Sequence, residues 1–263
     1  MTLVESSATE GRSIVLRRVG TEAPWAWLAA GWRDLHRAGW VSIAYGLFFA
    51  LLSAAVAAGL WIGDYLQALP ALAAGFMLVG PLLAVGLYEI SRRLEAGKAV
   101  TVEAAVLSIT RSPVQIAFLG ALLMLLLLFW IRLAFLLFAL FLGTGSAPPP
   151  EVFMSQLLFT SEGLGLLVVG TGIGAILAFT AYAISVISVP LLLDRDVDAM
   201  SAIIASLRSV KLNWKPLLLW AWLIALITAA GIATLFVGLI VTFPLIGHAT
   251  WHAYRDLVEP ARP

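Results

Sequence analysis

His248, His252 and Asp256 stand four residues apart in turn. On a helix that spacing puts all three on one face. Two imidazoles one turn apart can share a metal ion, with the carboxylate as third ligand. The sequence lacks the H-E-x-x-H pattern of zinc proteases. The competing reading is a polar, inward-facing helix end, and that is the one expected here, with no metal and no cofactor. The run "LDRDVD" adds Asp194, Asp196 and Asp198, and "GLYEISRR" adds Glu89. A divalent cation needs converging oxygens, whereas carboxylates at a helix exit diverge. Asp198 is expected to cap a helix starting near Ala199, and Asp194 and Asp196 to pair with basic residues such as Arg92 or Arg255. His248, His252, Asp256, Asp194 and Glu89 thus form one candidate polar cluster, with no catalytic set among them.

Arg132 raises a different question. It is the lone charge in the run from Val114 to Gly143. Nineteen residues of helix above Pro113 rise ~28 Å at ~1.5 Å each, close to the ~30 Å hydrocarbon thickness. Arg132 is therefore expected at the outer boundary, where its guanidinium snorkels to headgroups or water. The alternative is a buried partner for Asp64, Glu151 or Glu162, or a charge lining a polar cavity.

The elements that position these residues follow from composition. The chain has 263 residues, 62% of them apolar and 12% charged. Soluble domains are about half apolar and about a quarter charged, so an integral membrane protein is implied. There is no cysteine, which excludes disulfides and thiolate metal sites. Spanning helices of ~20 residues are expected at Trp40–Trp61, Leu66–Ile90, Val114–Gly143 and Gly163–Leu193. The block from Leu217 to about Trp251 is too long for one crossing and is split near Ala230 and Gly231 into a fifth and a sixth.

The basic residues agree with six. Arg12, Arg17, Arg18, Arg33 and Arg37 precede the first helix. Arg92, Arg93, Lys98 and Arg111 lie between the second and third. Arg195, Arg208, Lys211 and Lys215 lie between the fourth and fifth, and Arg255 and Arg262 follow the sixth. All but Arg132 then fall on one side, the cytoplasmic one, with both termini.

Internal similarity is visible too. Trp25–Trp40, Thr101–Ile116 and Ala199–Pro216 each mix small apolar residues with a few basic ones, as a helix on the membrane surface does. Pro81, Pro190 and Pro244 each begin a Pro-Leu-Leu or Pro-Leu-Ile run ahead of a polar end, where a helix is expected to bend or stop. The chain reads as three pseudo-repeats of cytoplasmic amphipathic segment, spanning helix and Pro-kinked spanning helix. Gly170, Gly174 and Ala178 offer a close-packing stripe. The connection from Gly143 to Gly163, stiffened at Pro148–Pro150, carries "VFMSQLLF", a short outer helix.

The runs "SVPLLLDRDVDAMSAI", "FPLIGHATWHAYRDLV", "GLYEISRRLEAG" and "GWRDLHRAGW" resemble the bacterial family called domain of unknown function 2189, over about Trp25 to Val258. The resemblance implies six helices in a bacterial inner membrane and no activity. A haem–copper oxidase core, which needs several intramembrane histidines, is excluded by ligand count, because the chain has three histidines.

The expectation is an all-α, six-span membrane domain over residues 25–258. A flexible cytoplasmic tail (1–24) precedes it and a short tail (259–263) follows. Its surroundings are the lipid bilayer and a membrane-protein partner or a second copy, not nucleic acid. Two functions remain open: a non-enzymatic scaffold or regulatory module, and a small permease or lipid-handling transporter with a cavity at the Pro-kinked helices. A transporter requires a polar path from Arg132 to His248; a scaffold requires a packed interior.

Overall fold

The computed structural model describes residues 14–143 and 150–260. Arg12, Pro148, Pro149, Arg262 and the outer parts of both tails lie outside the described residues, as does the side chain of Glu151.

All regular structure described is helical, apart from one antiparallel bridge, Leu16 to Val258. The helices are α1 Ala23–Ala38, α2 Trp40–Ile62, α3 Leu69–Leu83, α4 Val85–Glu95, α5 Val102–Val106, α6 Pro113–Leu142, α7 Pro150–Phe159, α8 Ser161–Ser185, α9 Ser188–Asp194, α10 Ala199–Leu212, α11 Trp214–Ala233 and α12 Leu239–Leu257. Five helical stretches are long and apolar enough to cross a membrane: Trp40–Ile62, Leu66–Glu95, Pro113–Leu142, Ser161–Asp194 and Trp214–Ala233. α12 is not among them, because its second half carries His248, His252, Arg255 and Asp256.

That polarity is tolerated because α12 is wrapped by protein. Its buried face includes Phe243, His248, Trp251 and Tyr254, and α1, α2, α4 and α11 all pack on it. Two glycines let the neighbours approach. At Gly31 of α1 an added Cβ would stand 2.6 Å from the Ala249 nitrogen. At Gly46 of α2 it would stand 2.2 Å from the Ile240 carbonyl oxygen. Ile240 is four residues before Pro244, so its carbonyl is the one the proline leaves without its helical partner. The bare backbone of α2 covers it.

The three prolines act differently. α3 ends at Leu83, two residues beyond Pro81, and the chain restarts as α4. α8 ends at Ser185, ahead of Pro190, and restarts as α9. α12 runs through Pro244 without interruption. Backbone groups freed inside a bilayer must find partners nearby, and at both breaks side chains supply them. The Tyr45 hydroxyl donates to the Leu83 carbonyl at 2.8 Å, and the Ile187 N–H donates to Ser206 Oγ at 3.2 Å. Ser112 donates to the Leu192 carbonyl at 2.8 Å.

The three amphipathic segments are helical, but the middle one is irregular: α5 is a single turn followed by a 3₁₀ segment, Leu107–Arg111. The α11–α12 turn falls at Thr234–Gly238, later than Ala230 and Gly231, with Leu235 and Phe236 in the left-handed region. Thr234 steadies it by donating to the Gly231 carbonyl and accepting from the Gly238 N–H. The described start of the chain is hydrogen-bonded to the end of α12 and to Asn213. The Arg17 N–H donates to the Leu257 carbonyl, the Glu259 N–H to the Val15 carbonyl, and the Val19 N–H to Asn213 Oδ1.

Candidate functional site

The helix ends α1, α4, α9 and α12 meet around a polar region, and its geometry divides into separate centres. The innermost is His248, fully buried. Its Nε2 lies 2.8 Å from Ser42 Oγ on α2 and its Nδ1 lies 2.8 Å from Ser91 Oγ on α4. One turn on, His252 Nε2 is 2.8 Å from Asp34 Oδ2 on α1. Asp34 is buried, and the Ser91 hydroxyl also bears on its carboxylate. Each ring nitrogen thus faces one serine hydroxyl, which can donate or accept. Burial pushes the Asp34 carboxyl up, but the bonds from His252 and Ser91 and the nearby imidazoles outweigh it and hold the group below its ordinary value.

The second centre is Glu89, 1% exposed on α4. Arg92 grips it with two bonds, Nε to Oε2 at 2.8 Å and Nη2 to Oε1 at 2.9 Å, and Arg93 Nε reaches Oε1 at 2.9 Å. Arg111 stands off at 3.4 Å. A buried carboxylate requires such compensation, because desolvation of a lone charge costs several kcal/mol.

The third centre is built on Arg255. It pairs with Glu95 at 2.8 Å and with Asp194 at 3.6 Å. Tyr254 donates to Asp194 Oδ2 at 2.7 Å, and Trp251 Nε1 donates to Glu95 Oε2 at 3.2 Å.

The residues singled out in the sequence therefore share one end of the bundle but not one site. His248, His252 and Asp256 lie along one helix, and each takes a different partner. Asp256 accepts from Trp27 Nε1 at 3.1 Å. Among the described residues no three His, Asp or Glu side chains converge as metal ligands do. Asp198 caps α10 by accepting from the Ser201 N–H at 2.9 Å. Asp194 pairs with Arg255, while Asp196 is exposed. Arg132 is exposed on α6, while Trp130 two residues before it turns inward and donates to the Ala71 carbonyl. Among the described residues Arg132 forms no ion pair with Asp64 or Glu162. A Cβ added at Gly174 would stand 3.1 Å from the Trp130 ring, an intramolecular neighbour, whereas one added at Gly170 would meet nothing within 4 Å.

Sequence reasoning passed over Ser42, Ser91 and Asp34. Serines on spanning helices carry no signal of their own. Asp34 does: it interrupts the stripe Trp27, Ala30, Gly31 and Ala38, the buried face of α1. A carboxylate on an apolar stripe announces a buried partner.

Residues 68–194 match the model of a family described as predicted integral membrane protein (DUF2189). No curated protein and no solved structure matches the chain. The matched stretch holds the Glu89 centre and Asp194. It leaves out α1, α2, α10, α11 and α12, and with them Asp34, Ser42, His248 and His252. The chain is an integral membrane protein with several apolar helices.

Proposed function

We propose that this chain is a six-span, non-enzymatic membrane module, a scaffold or regulatory subunit of a larger assembly, seated in a bacterial inner membrane with both termini cytoplasmic. Parity supports the sixth crossing. Leu16 pairs with Val258, so the two ends of the domain lie together, and an even number of crossings is needed to bring them back. The five apolar spans require α12 as the sixth. The excess of Lys and Arg at that end supports the cytoplasmic assignment. The order α1–α2–α3/α4, α5–α6–α8/α9, α10–α11–α12 supports three pseudo-repeats, with Pro81, Pro190 and Pro244 in the last member of each.

The observation that carries the scaffold reading is the closure of the polar end. Both ring nitrogens of His248 are engaged by serines, and the imidazole is fully buried. Neither nitrogen faces open space where a substrate could reach it. Arg132 faces outward from α6, while Leu78, Leu123, Trp130 and Ala181 pack together at the inner side of α3, α6 and α8. A permease would instead use a polar route between the two.

Cysteine accessibility tests both halves. In sealed vesicles, Ser161→Cys and Met200→Cys should react with an impermeant maleimide from opposite sides; reaction from the same side ends the six-span reading. Ser185→Cys and Ser188→Cys, both at fully buried positions, should resist a small hydrophilic thiol reagent. Rapid labelling of both would reveal water in the interior and establish the permease in place of the scaffold.

A further inference from the structure

α10 joins the starts of two spans. At its first residue the Ala199 N–H donates to Gln115 Oε1 at 2.9 Å, and Gln115 stands in the first turn of α6. At its other end Asn213 alone separates it from α11. Between the two, Ser206 Oγ donates to the Ala183 carbonyl at 2.7 Å and accepts from the Ile187 N–H, so the helix crosses the α8–α9 break. Tyr182, beside that break, donates to the Leu217 carbonyl in the first turn of α11. From Ser161 to Ala183 α8 rises ~33 Å at ~1.5 Å per residue, against ~30 Å of hydrocarbon. The break therefore stands one membrane thickness from the far end of α8, and α10 lies along the boundary. Past the break the chain enters protein, because every residue from Ser188 to Leu193 is buried.

One face of α10 packs on its neighbours through Ala202, Ser206 and Ser209. The opposite face is uncovered and mixed. Met200, Ile204, Leu207 and Lys211 recur at i, i+4, i+7 and i+11, on one side of a helix, and all four are exposed, as is Arg208. Beyond Asn213, Trp214 and Lys215 are exposed too, the ammonium 5.5 Å from the indole centroid. Asn213 gathers a fourth cation. Its side chain accepts from the Val19 N–H at 2.9 Å and donates to the Arg17 carbonyl at 3.0 Å, which fixes the backbone on both sides of the exposed Arg18. Neither α10 nor α11 contains an acidic residue. Among the described residues Arg18, Arg208, Lys211 and Lys215 form no ion pair. The arginines around Glu89 are compensated by protein; these four cations are not.

We infer that the uncovered face of α10, ending at Arg18, Trp214 and Lys215, docks on the surface of an anionic lipid bilayer. Met200, Ile204 and Leu207 enter the boundary layer and the four cations lie among the headgroups. Cations and apolar side chains on one exposed side fit that layer, because the stems of lysine and arginine cover apolar surface while the charge reaches the polar zone. Tryptophan favours the same depth. Continuity points the same way, since α11, one residue further on, is an apolar span. The inference requires only that the chain be membrane-embedded and stands apart from the scaffold reading. An acidic protein partner would instead need this face open to water.

The chain has no cysteine, so Ile204→Cys takes a single bimane label. The full chain is reconstituted in dioleoyl-phosphatidylcholine bilayers with dioleoyl-phosphatidylglycerol as the minor lipid, and one or the other lipid carries brominated acyl chains. Brominated phosphatidylglycerol should quench the label beyond its share of the bilayer, an enrichment of about fivefold or more. Aqueous iodide should quench little, and high salt should reduce the enrichment. Combining Arg208→Gln, Lys211→Gln and Lys215→Gln should abolish it. A label at Val168→Cys, an exposed position toward the other end of α8, should show none. Thermal unfolding confirms that the variants are folded; if the combined variant is not, Arg208→Gln and Lys211→Gln are read singly, and each should lower the enrichment. Quenching by both lipids in proportion to their abundance would mean ordinary boundary lipid, and overturns the inference. So would strong quenching by iodide with none by either brominated lipid, which would place the face in water and open it to an acidic protein.

Discussion

Asp34 on α1 and His252 on α12 are 218 residues apart in sequence and 2.8 Å apart in space. The contact joins the first helix to the last, and the carboxylate is only 5% exposed. With the imidazole protonated it is an ion pair; with it neutral it is an N–H···O hydrogen bond.

Removing the carboxylate should therefore loosen α1 from α12. Asp34→Ala is expected to cost about 1–3 kcal/mol of unfolding free energy, and Asp34→Asn, which keeps an acceptor, less. Denaturant unfolding in a mild detergent ranks the two. Equal, negligible effects would mean that the contact holds nothing.

Acid should act on the same bond. The Asp34 carboxyl is held below its usual value of 3.8. A depressed carboxyl adds stability that is fully present above 3.8 and fades as pH falls through the folded-state value. Melting temperatures followed downward from pH 6 should drop in that acid window, and Asp34→Asn should flatten the drop. Asp198, depressed by its capping bond to Ser201, has the same sign, so Asp198→Asn is the matching control at an exposed site.

Gly46 is predicted to tolerate nothing larger. A Cβ there meets the Ile240 carbonyl oxygen at 2.2 Å, and backbone atoms cannot step aside as a side-chain tip can. Gly46→Ala should destabilise by roughly 1–3 kcal/mol. Gly170→Ala has no neighbour within 4 Å and should be neutral or stabilising by up to about 1 kcal/mol through helix propensity. A thermal-shift comparison of the pair settles whether α2 and α12 are in backbone contact.

Glu89→Gln should be far more damaging than its conservative size suggests. It leaves three guanidiniums facing each other without the buried carboxylate that holds them. A loss of roughly 2 kcal/mol or more is expected. Arg111→Gln made in the Glu89→Gln background should recover part of it, as a double-mutant cycle would read.

Arg132→Leu should change little. The side chain is exposed and pairs with no acid among the described residues, so the change should fall within about 0.5 kcal/mol. Loss of the folded protein on this substitution, measured by monodispersity in detergent, would point to a buried role instead.

The sequence by itself determined the class, because no water-soluble surface can be made from so few charges. It determined the five apolar spans, since uninterrupted hydrocarbon of that length has no other stable home. It placed the cap at Asp198 and the helix end near Pro81, where local chemistry decides the outcome. It also marked His248, His252, Asp194 and Glu89 as polar groups at helix ends. The tertiary structure alone decided what each of them touches. Ser42, Ser91 and Asp34 come from α2, α4 and α1, and periodicity within one helix carries no information on which neighbour will face it. The same holds for Gly46, whose need for a bare backbone arises from a carbonyl freed by Pro244 nearly two hundred residues away. It holds for α12 as well. Read alone, its polar half looks unfit for a membrane; α12 joins α1, α2, α4 and α11, while α3, α6 and α8 pack on one another.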